Sequence, residues 1–291
     1  MSKKIYNLFY LAYPDIQKWL KETDIVMVPI GSCEQHGWHL PVSTDSIACL
    51  VPVEKAAVKA NVPHTPLVWI GYSPHHIKKP GEGSGTISLR ASTYQNLLYD
   101  IGRCLIHQGF NKIVYVTGHT SNTKVLDPPM RRIRYETGAL SCVFRADAEG
   151  IPNIPRLKKI LENLPEETPG WHGSEVETSE VLAYNSELVH CERYSEKDIP
   201  QLTHAPEWFP EEFSKRNGNP YVTFDEYDGA WVPMEHPEYS DTGLIGNPFR
   251  GSREKGEKIA EIVSDYLATF LNGLKKVKVE VRNREYIERA F

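Results

Sequence analysis

The sequence is poor in the features that would place it outside the soluble globular enzymes. No apolar run is long enough to span a bilayer. Residues 1–20 lack both a continuous apolar core and a small-residue cleavage site, so a soluble cytoplasmic protein is expected. Five cysteines (Cys33, Cys49, Cys104, Cys142 and Cys191) are odd in number and scattered, with no CxxC pair. That excludes a disulfide framework and a cysteine-rich zinc site. Lys and Arg number 33 against 38 Asp and Glu, a formal net charge of −5. Without a basic excess or cluster, neither nucleic acid nor an anionic membrane is an expected partner. There is no repeat, no low-complexity tract and no Ser/Gly-rich linker. With 40 % hydrophobic residues the chain can fill one sizeable core, and a single α/β domain over residues 1–291 is expected.

What is present alternates strand and helix patterns. Residues 25–30, apolar throughout and stopped by Gly31, read as a buried strand; 65–71, 112–117 and 139–145 are further strands. Helices are expected over 14–22, 46–60 (with Pro52 near its start) and 123–137. Another is capped by Ser92, carries Tyr94, Leu97, Leu98, Ile101, Cys104 and Leu105 on its apolar face, and ends at Gly109. His107, in its last turn, suits the helix dipole and reads as structural. Residues 150–173, rich in proline, read as a lid or connecting arm with one short helix. A helix then runs to about Leu188, and a last one from Ser252 to Asn272 ends at Gly273. Residues 191–240 read as a loop-rich insertion, and 275–281 as an exposed edge strand. The alternation predicts a mostly parallel central sheet flanked by helices.

The chemistry gathers beyond the first strand, where Glu34, His36, His39 and Asp45 follow one another. Sites in open α/β sheets form at the carboxyl ends of strands. In extended backbone, residues two apart face the same way, so Glu34 and His36 can address one point, with Asp45 folding back to close it. Carboxylates with imidazole suit Zn²⁺, Mn²⁺ or Fe²⁺ better than Ca²⁺ or Mg²⁺; the plain alternative is a solvated polar loop. The strand 112–117 repeats the pattern, opening into Gly118 and His119. Cys33 has no evident local base and reads as a small buried residue.

GSCEQHGWHLPVSTD (31–45), TGHTSN (117–122) and HGSEVETS (172–179), together with GTISL (85–89) and GLIGNP (243–248), resemble in order the motifs of the creatininase (creatinine amidohydrolase) family. The resemblance runs from about residue 23 to 272 and is thinnest over 191–240. It implies a layered α/β fold, one or two divalent ions (Zn²⁺, Mn²⁺ or Fe²⁺), hydrolysis of a small molecule and a homo-oligomer, a hexamer. Glu34, His36, Asp45, His119 and Glu177 look like family metal ligands, with Asp45 able to bridge two ions; Glu175 replaces Glu177 if its helix starts differently. Creatininase has an acidic ligand where this chain has Ser121, which argues against creatinine as substrate.

His172, just ahead of Glu177, is the expected acid/base group, and Trp171 the flap that closes on the substrate. His75, His76 and Ser121 are expected to line the pocket. His39 is expected to hydrogen-bond a ligand carboxylate. His64, His190, His204 and His236 belong to no motif.

The expected activity is therefore hydrolytic opening of a small polar cyclic substrate by metal-activated water, with Glu177 and His172 in the catalytic set. The bond is a cyclic amide C–N bond or, as in hydrolases of oxidised inositols, the C–C bond of a cyclic diketone. Residues 234–243 look more like the latter branch. The alternatives are creatinine amidohydrolase proper, a non-haem iron oxidoreductase using His36, His119 and one carboxylate, and a purely structural metal.

Overall fold

The computed structural model describes residues 4–162, 171–199, 208–213, 221–238 and 240–286. Three strands, β1 (Ile25–Ile30), β2 (Lys112–Thr117) and β3 (Leu140–Arg145), form a parallel sheet in the order β1-β2-β3. Ile30 is paired with Thr117 and Thr117 with Arg145, so the carboxyl ends of the strands are level.

Among the described residues, six α-helices accompany the sheet: α1 (Tyr13–Glu22), α2 (Thr44–Ala60), α3 (Ala91–Gln108), α4 (Thr120–Thr137), α5 (Glu175–Asn185) and α6 (Arg253–Leu274). Successive side chains of a strand point to opposite faces, and here both faces are covered. Ile25, Met27, Val114 and Val116 pack with Val53 and Ala56 of α2 and Val263 and Leu267 of α6. Val26, Val28, Ile113 and Tyr115 pack with Leu98 and Ile106 of α3 and Ile133 of α4. Burial on both sides explains why β1 and β2 read as continuous apolar runs rather than alternating ones. No helix of the described residues is long and apolar enough to cross a membrane.

Several boundaries differ from the sequence expectation, each for a local reason. The segment 65–71 is not a regular strand. His64 and Val68 make isolated parallel bridges to Met27 and Ile30, and Pro66 between them has no N–H to extend the ladder. α2 starts at Thr44, not at 46, and runs through Pro52; α4 starts at Thr120, not at 123. Both earlier starts put motif residues into first helical turns. Ser92 lies inside α3 and caps nothing, the N-cap being Arg90 with no side-chain bond.

Among its described residues the arm after β3 holds two 3₁₀ turns, Ile151–Asn153 and Leu157–Lys159, where one short helix is expected. Its residues 163–170 lie outside the described residues, as do 200–207, 214–220 and 239 of the predicted insertion. Within that insertion an unpredicted hairpin appears, β4 (Tyr221–Phe224) with β5 (Tyr227–Trp231). Asp225 and Glu226 turn it with φ of 46° and 62°, a two-residue turn normally signalled by Asn-Gly. The segment 275–281 is not a strand. The chain beyond α6 seeks helix ends, the Arg282 amide donating to the Thr137 carbonyl and Arg284 Nη1 to the Ile106 carbonyl.

Candidate metal centre

Two glycines let α2 press its first turn onto the ends of β1 and β2. A Cβ at Gly31 would lie 2.7 Å from Ser46 Cα, and one at Gly118 would overlap the Asp45 carbonyl oxygen and stand 3.0 Å from the Cys49 amide nitrogen. Only hydrogen fits at either position. Asp45 is thereby held between the β1–α2 loop, which carries Glu34 and His36, and His119, the N-cap residue of α4. Glu177 arrives from the first turn of α5 and His172 from just ahead of it. The amino termini of α2, α4 and α5 thus meet above the sheet, where their dipoles favour acidic groups.

The Asp45 carboxylate divides the cluster in two. Its Oδ1 lies 3.4 Å from His36 Nε2, which is 3.5 Å from Glu177 Oε1. Its Oδ2 lies 3.3 Å from His119 Nδ1, while Glu34 Oε2 is 3.3 Å from His119 Nε2. These groups are buried, and His36 Nε2 and Asp45 Oδ2 have no hydrogen-bond partner. Such separations exceed those of charge-assisted hydrogen bonds, about 2.7–2.9 Å. Those from Asp45 to His36 and to His119 Nδ1, and from His36 to Glu177, come close to the spacing of two donors about 2.0–2.1 Å from a tetrahedral ion, roughly 3.3–3.4 Å apart, whereas Glu34 lies beside the other nitrogen of His119. Glu34, Asp45 and His119 can hold one divalent ion, and His36, Asp45 and Glu177 a second. The orphaned nitrogen and oxygen show that the residues fit such ions.

Supporting bonds orient the donors, as metal sites generally need. His36 Nδ1 donates to the Glu34 carbonyl at 3.2 Å, turning Nε2 into the cluster. His119 Nε2 faces the Tyr72 carbonyl at 3.1 Å and the Ser73 hydroxyl at 3.0 Å, leaving Nδ1 toward Asp45. Glu177 Oε2 accepts from the Gly173 amide at 2.6 Å.

In the metal-free chain, histidine cations stand in for the missing charge. Burial pushes the Glu34 carboxyl up to about 7. Burial opposes the His119 cation, but Glu34 and Asp45 draw its pKa up to about 9. The same contest, burial against Glu177 and Asp45, leaves His36 well above the ordinary value. For Asp45, burial works against the charge and is overcome by His36 and His119, which hold it below the usual carboxylate range.

His172 is set by a residue that no metal argument singles out. Gln35 lies with its amide nitrogen 3.0 Å from His76 Nδ1, 2.7 Å from His236 Nδ1 and 3.3 Å from His172 Nε2. Its backbone carbonyl, an acceptor only, is 2.8 Å from His172 Nε2, so that nitrogen carries the proton. The His172 Nδ1 lone pair therefore faces the cluster, 3.8 Å from Glu34 Oε1. Burial, with His36 and His236 adding, pushes the His172 pKa well down. The ring is neutral at rest, stacked on His36 at 4.1 Å between centroids.

The remaining candidates divide. His76 is buried, its Nε2 3.5 Å from Glu34 Oε1, and belongs to the cluster's edge. Trp171, His75 and Ser121 line a cavity of about 450 Å³ above the donors, together with His172 and Trp231. His39 does not bond a ligand carboxylate as expected. Its Nε2 meets the Thr178 hydroxyl at 3.0 Å, because its ring is held edge-on to Tyr194. Glu175 is not a ligand alternative either, since it turns to Lys255 Nζ at 2.6 Å and the Glu162 amide at 2.8 Å. Cys33 is buried, with its thiol toward the Gly85 carbonyl. His236, assigned no role from sequence, is buried against His76 and His172. The run 234–243 that contains it has no spacing signal that would have found it.

A parallel sheet capped by convergent carboxylates and imidazoles defines an α/β protein with a dinuclear-type donor set. Residues 10–271 match the creatininase (creatinine amidohydrolase) family profile, and the chain belongs to that family. It is similar to the 3-dehydro-scyllo-inosose hydrolase of Thermotoga maritima, 27 % identical with 91 % of this chain and 82 % of that one covered. It is also 27 % identical to the creatinine amidohydrolase of Pseudomonas putida, over 82 % of this chain and 85 % of that one. A solved manganese form of creatininase superposes with a TM-score of 0.71 at 24 % identity, covering 94 % of this chain and all of that one. A zinc–zinc form of a creatininase mutant gives 0.70 at the same identity and coverage. These superpositions establish the shared fold.

Proposed function

We propose that the protein is a hydrolase that uses two divalent ions, zinc or manganese, to open a small polar ring with water. Of the two rings anticipated, a cyclic diketone of the oxidised-inositol type and a cyclic amide, the first is favoured by the likeness to the inosose hydrolase over nine-tenths of the chain. The observation that carries the reading is the Asp45 carboxylate facing His36 with one oxygen and His119 with the other at ion-donor spacing. Glu34 and His119 complete one set of ligands, His36 and Glu177 the other.

Bound there, a divalent ion lowers the pKa of coordinated water from about 15.7 toward roughly 7 and polarises a carbonyl oxygen. The chain's own part is to place and move protons. His172, neutral with its Nδ1 lone pair toward the cluster, takes the proton of the attacking water at that nitrogen. It returns the proton to the atom that leaves the opened ring. Gln35 keeps the other nitrogen protonated throughout. Trp171, packed on Met234 and Ile245, covers the cavity and limits bulk water. The homo-oligomer implied by the family, a hexamer, belongs to the same proposal and is read by light scattering.

The test is anaerobic turnover of zinc- and manganese-loaded protein on cyclic 1,3-diketones, lactams and cyclic ureas. Ring opening without O₂ is the expected result. Activity that needs O₂ and ferrous iron would put the facial-triad oxidoreductase in its place.

A further inference from the structure

The cavity wall carries one lysine or arginine among the described residues, Lys124, one turn beyond Ser121 in α4. Its Nζ donates to Ser121 Oγ at 3.3 Å, and that hydroxyl is 3.5 Å from His75 Nε2. Trp231 of β5 stands over the ammonium, 5.9 Å from Nζ to the ring centroid. Ammonium, hydroxyl and imidazole therefore form an arc of polar groups on one wall of the cavity that holds the carboxylate cluster.

The acids nearby make their hydrogen bonds elsewhere, and Glu149 and Glu34 reach Lys124 only through longer-range attraction. Asp147 accepts from Thr120 Oγ1 and Arg145, and Glu149 from Arg145 Nη2 at 3.3 Å. Among the described residues no carboxylate comes within 4.0 Å of Lys124, whereas Lys55, Lys59, Lys112 and Lys258 all have one within 3.2 Å. Glu34, Asp45 and Glu177 are occupied by the ions in the function proposed above, on which this inference rests.

We infer that Lys124, with Ser121 and His75, is the specificity element of the pocket and binds an anionic oxygen of the substrate, a carboxylate or an enolate, away from the bond that is cut. A carboxylate presents two acceptor oxygens and the enolate of a cyclic 1,3-diketone presents one at each end of its delocalised system. Either suits a cation flanked by a hydroxyl and an imidazole.

The test is calorimetric titration of zinc-loaded wild type, Lys124→Met and Lys124→Arg with acetate, with the series oxalate, malonate and succinate, and with cyclohexane-1,3-dione. Zinc content is measured for each protein. The expected result is a loss of about tenfold in affinity on Lys124→Met for at least one two-ended probe, which reaches from the zinc to Lys124, with acetate, whose single carboxylate the zinc takes, unchanged and Lys124→Arg near wild type. A dicarboxylate showing the larger loss identifies the carboxylate, the dione the enolate. Equal affinities of wild type and Lys124→Met for every probe would overturn the inference. So would a loss of the same factor for acetate, which would assign the effect to the general field of the pocket. Wild type without zinc would sink the metal reading by itself. The same titrations on the metal-free protein would then decide Lys124, since its ammonium belongs to the chain.

Discussion

The donor cluster and the cover over it are built in opposite ways. Glu34, His36, Asp45, His119 and Glu177 are all 5 % exposed or less. They spring from segments fixed to β1, β2, α2 and α5, with Gly31 and Gly118 allowing contact closer than any other residue permits. The cover comes from the two-stranded β4–β5 hairpin, which shares no hydrogen bonds with the main sheet, and from Trp171 with its few apolar neighbours. Trp231 on that hairpin is 55 % exposed. The contrast teaches that the donors sit in a frame fixed by close main-chain contacts, whereas part of the wall over them is lightly held.

Substitutions should separate the two parts by the size of their effects. Asp45→Asn removes the carboxylate that both halves share, and a loss of both ions with about a thousandfold or greater fall in turnover is expected. Elemental analysis beside kinetics checks it, with circular dichroism confirming a folded chain. Gly118→Ala forces a Cβ into the Asp45 backbone, so a destabilisation of about 2–4 kcal/mol is expected, read from denaturant midpoints. At the far end of the scale, Trp231→Ala should leave the metal content and Tm of the protein unchanged. It should raise KM by a few-fold, the magnitude of one exposed aromatic contact. A Trp231→Ala variant that lost metal would break the division between frame and cover.

Acid–base behaviour sharpens the same comparison, because the shifted groups lie in the frame. His119, raised from 6.5 to about 9 by Glu34 and Asp45 against the effect of burial, is protonated at pH 7 in the metal-free chain. Its contribution to stability is complete below about 6.5 and is lost as pH rises through about 9. An ion needs the lone pair that this proton occupies, so uptake releases protons, and affinity should rise with pH up to about 9. Calorimetry in buffers of different ionisation enthalpy should find somewhat more than two protons released per pair of ions at pH 7, about one each from His119 and His36 and roughly half of one from Glu34. Uptake independent of pH between 6 and 9 would contradict the shifts.

The frame was far more legible in the sequence than the cover. β1 and β2 announce themselves because burial on both faces demands unbroken apolar runs, and Glu34, His36 and His119 stand directly beyond the strand ends. Asp45 was expected on a loop that folds back. That it opens α2 depends on the glycine contacts at Gly31 and Gly118, which are tertiary. Gln35 is invisible for another reason: its side-chain amide serves His76 and His236 and its backbone carbonyl accepts from His172, rings that meet only in the folded chain. The hairpin hides behind an Asp225–Glu226 turn without the usual glycine, and Pro66, with no N–H to give, keeps 65–71 from forming a ladder. His39 was a plausible support for a carboxylate until Tyr194, distant in sequence, fixed its ring elsewhere.

Anomalous diffraction from crystals of untreated protein, collected at the absorption edges of zinc and manganese, tests the central claim most directly. Two peaks flanking the Asp45 carboxylate, one beside His36 and Glu177 and one beside Glu34 and His119, are the predicted outcome. A cluster without peaks in protein that carries its full metal elsewhere would contradict it.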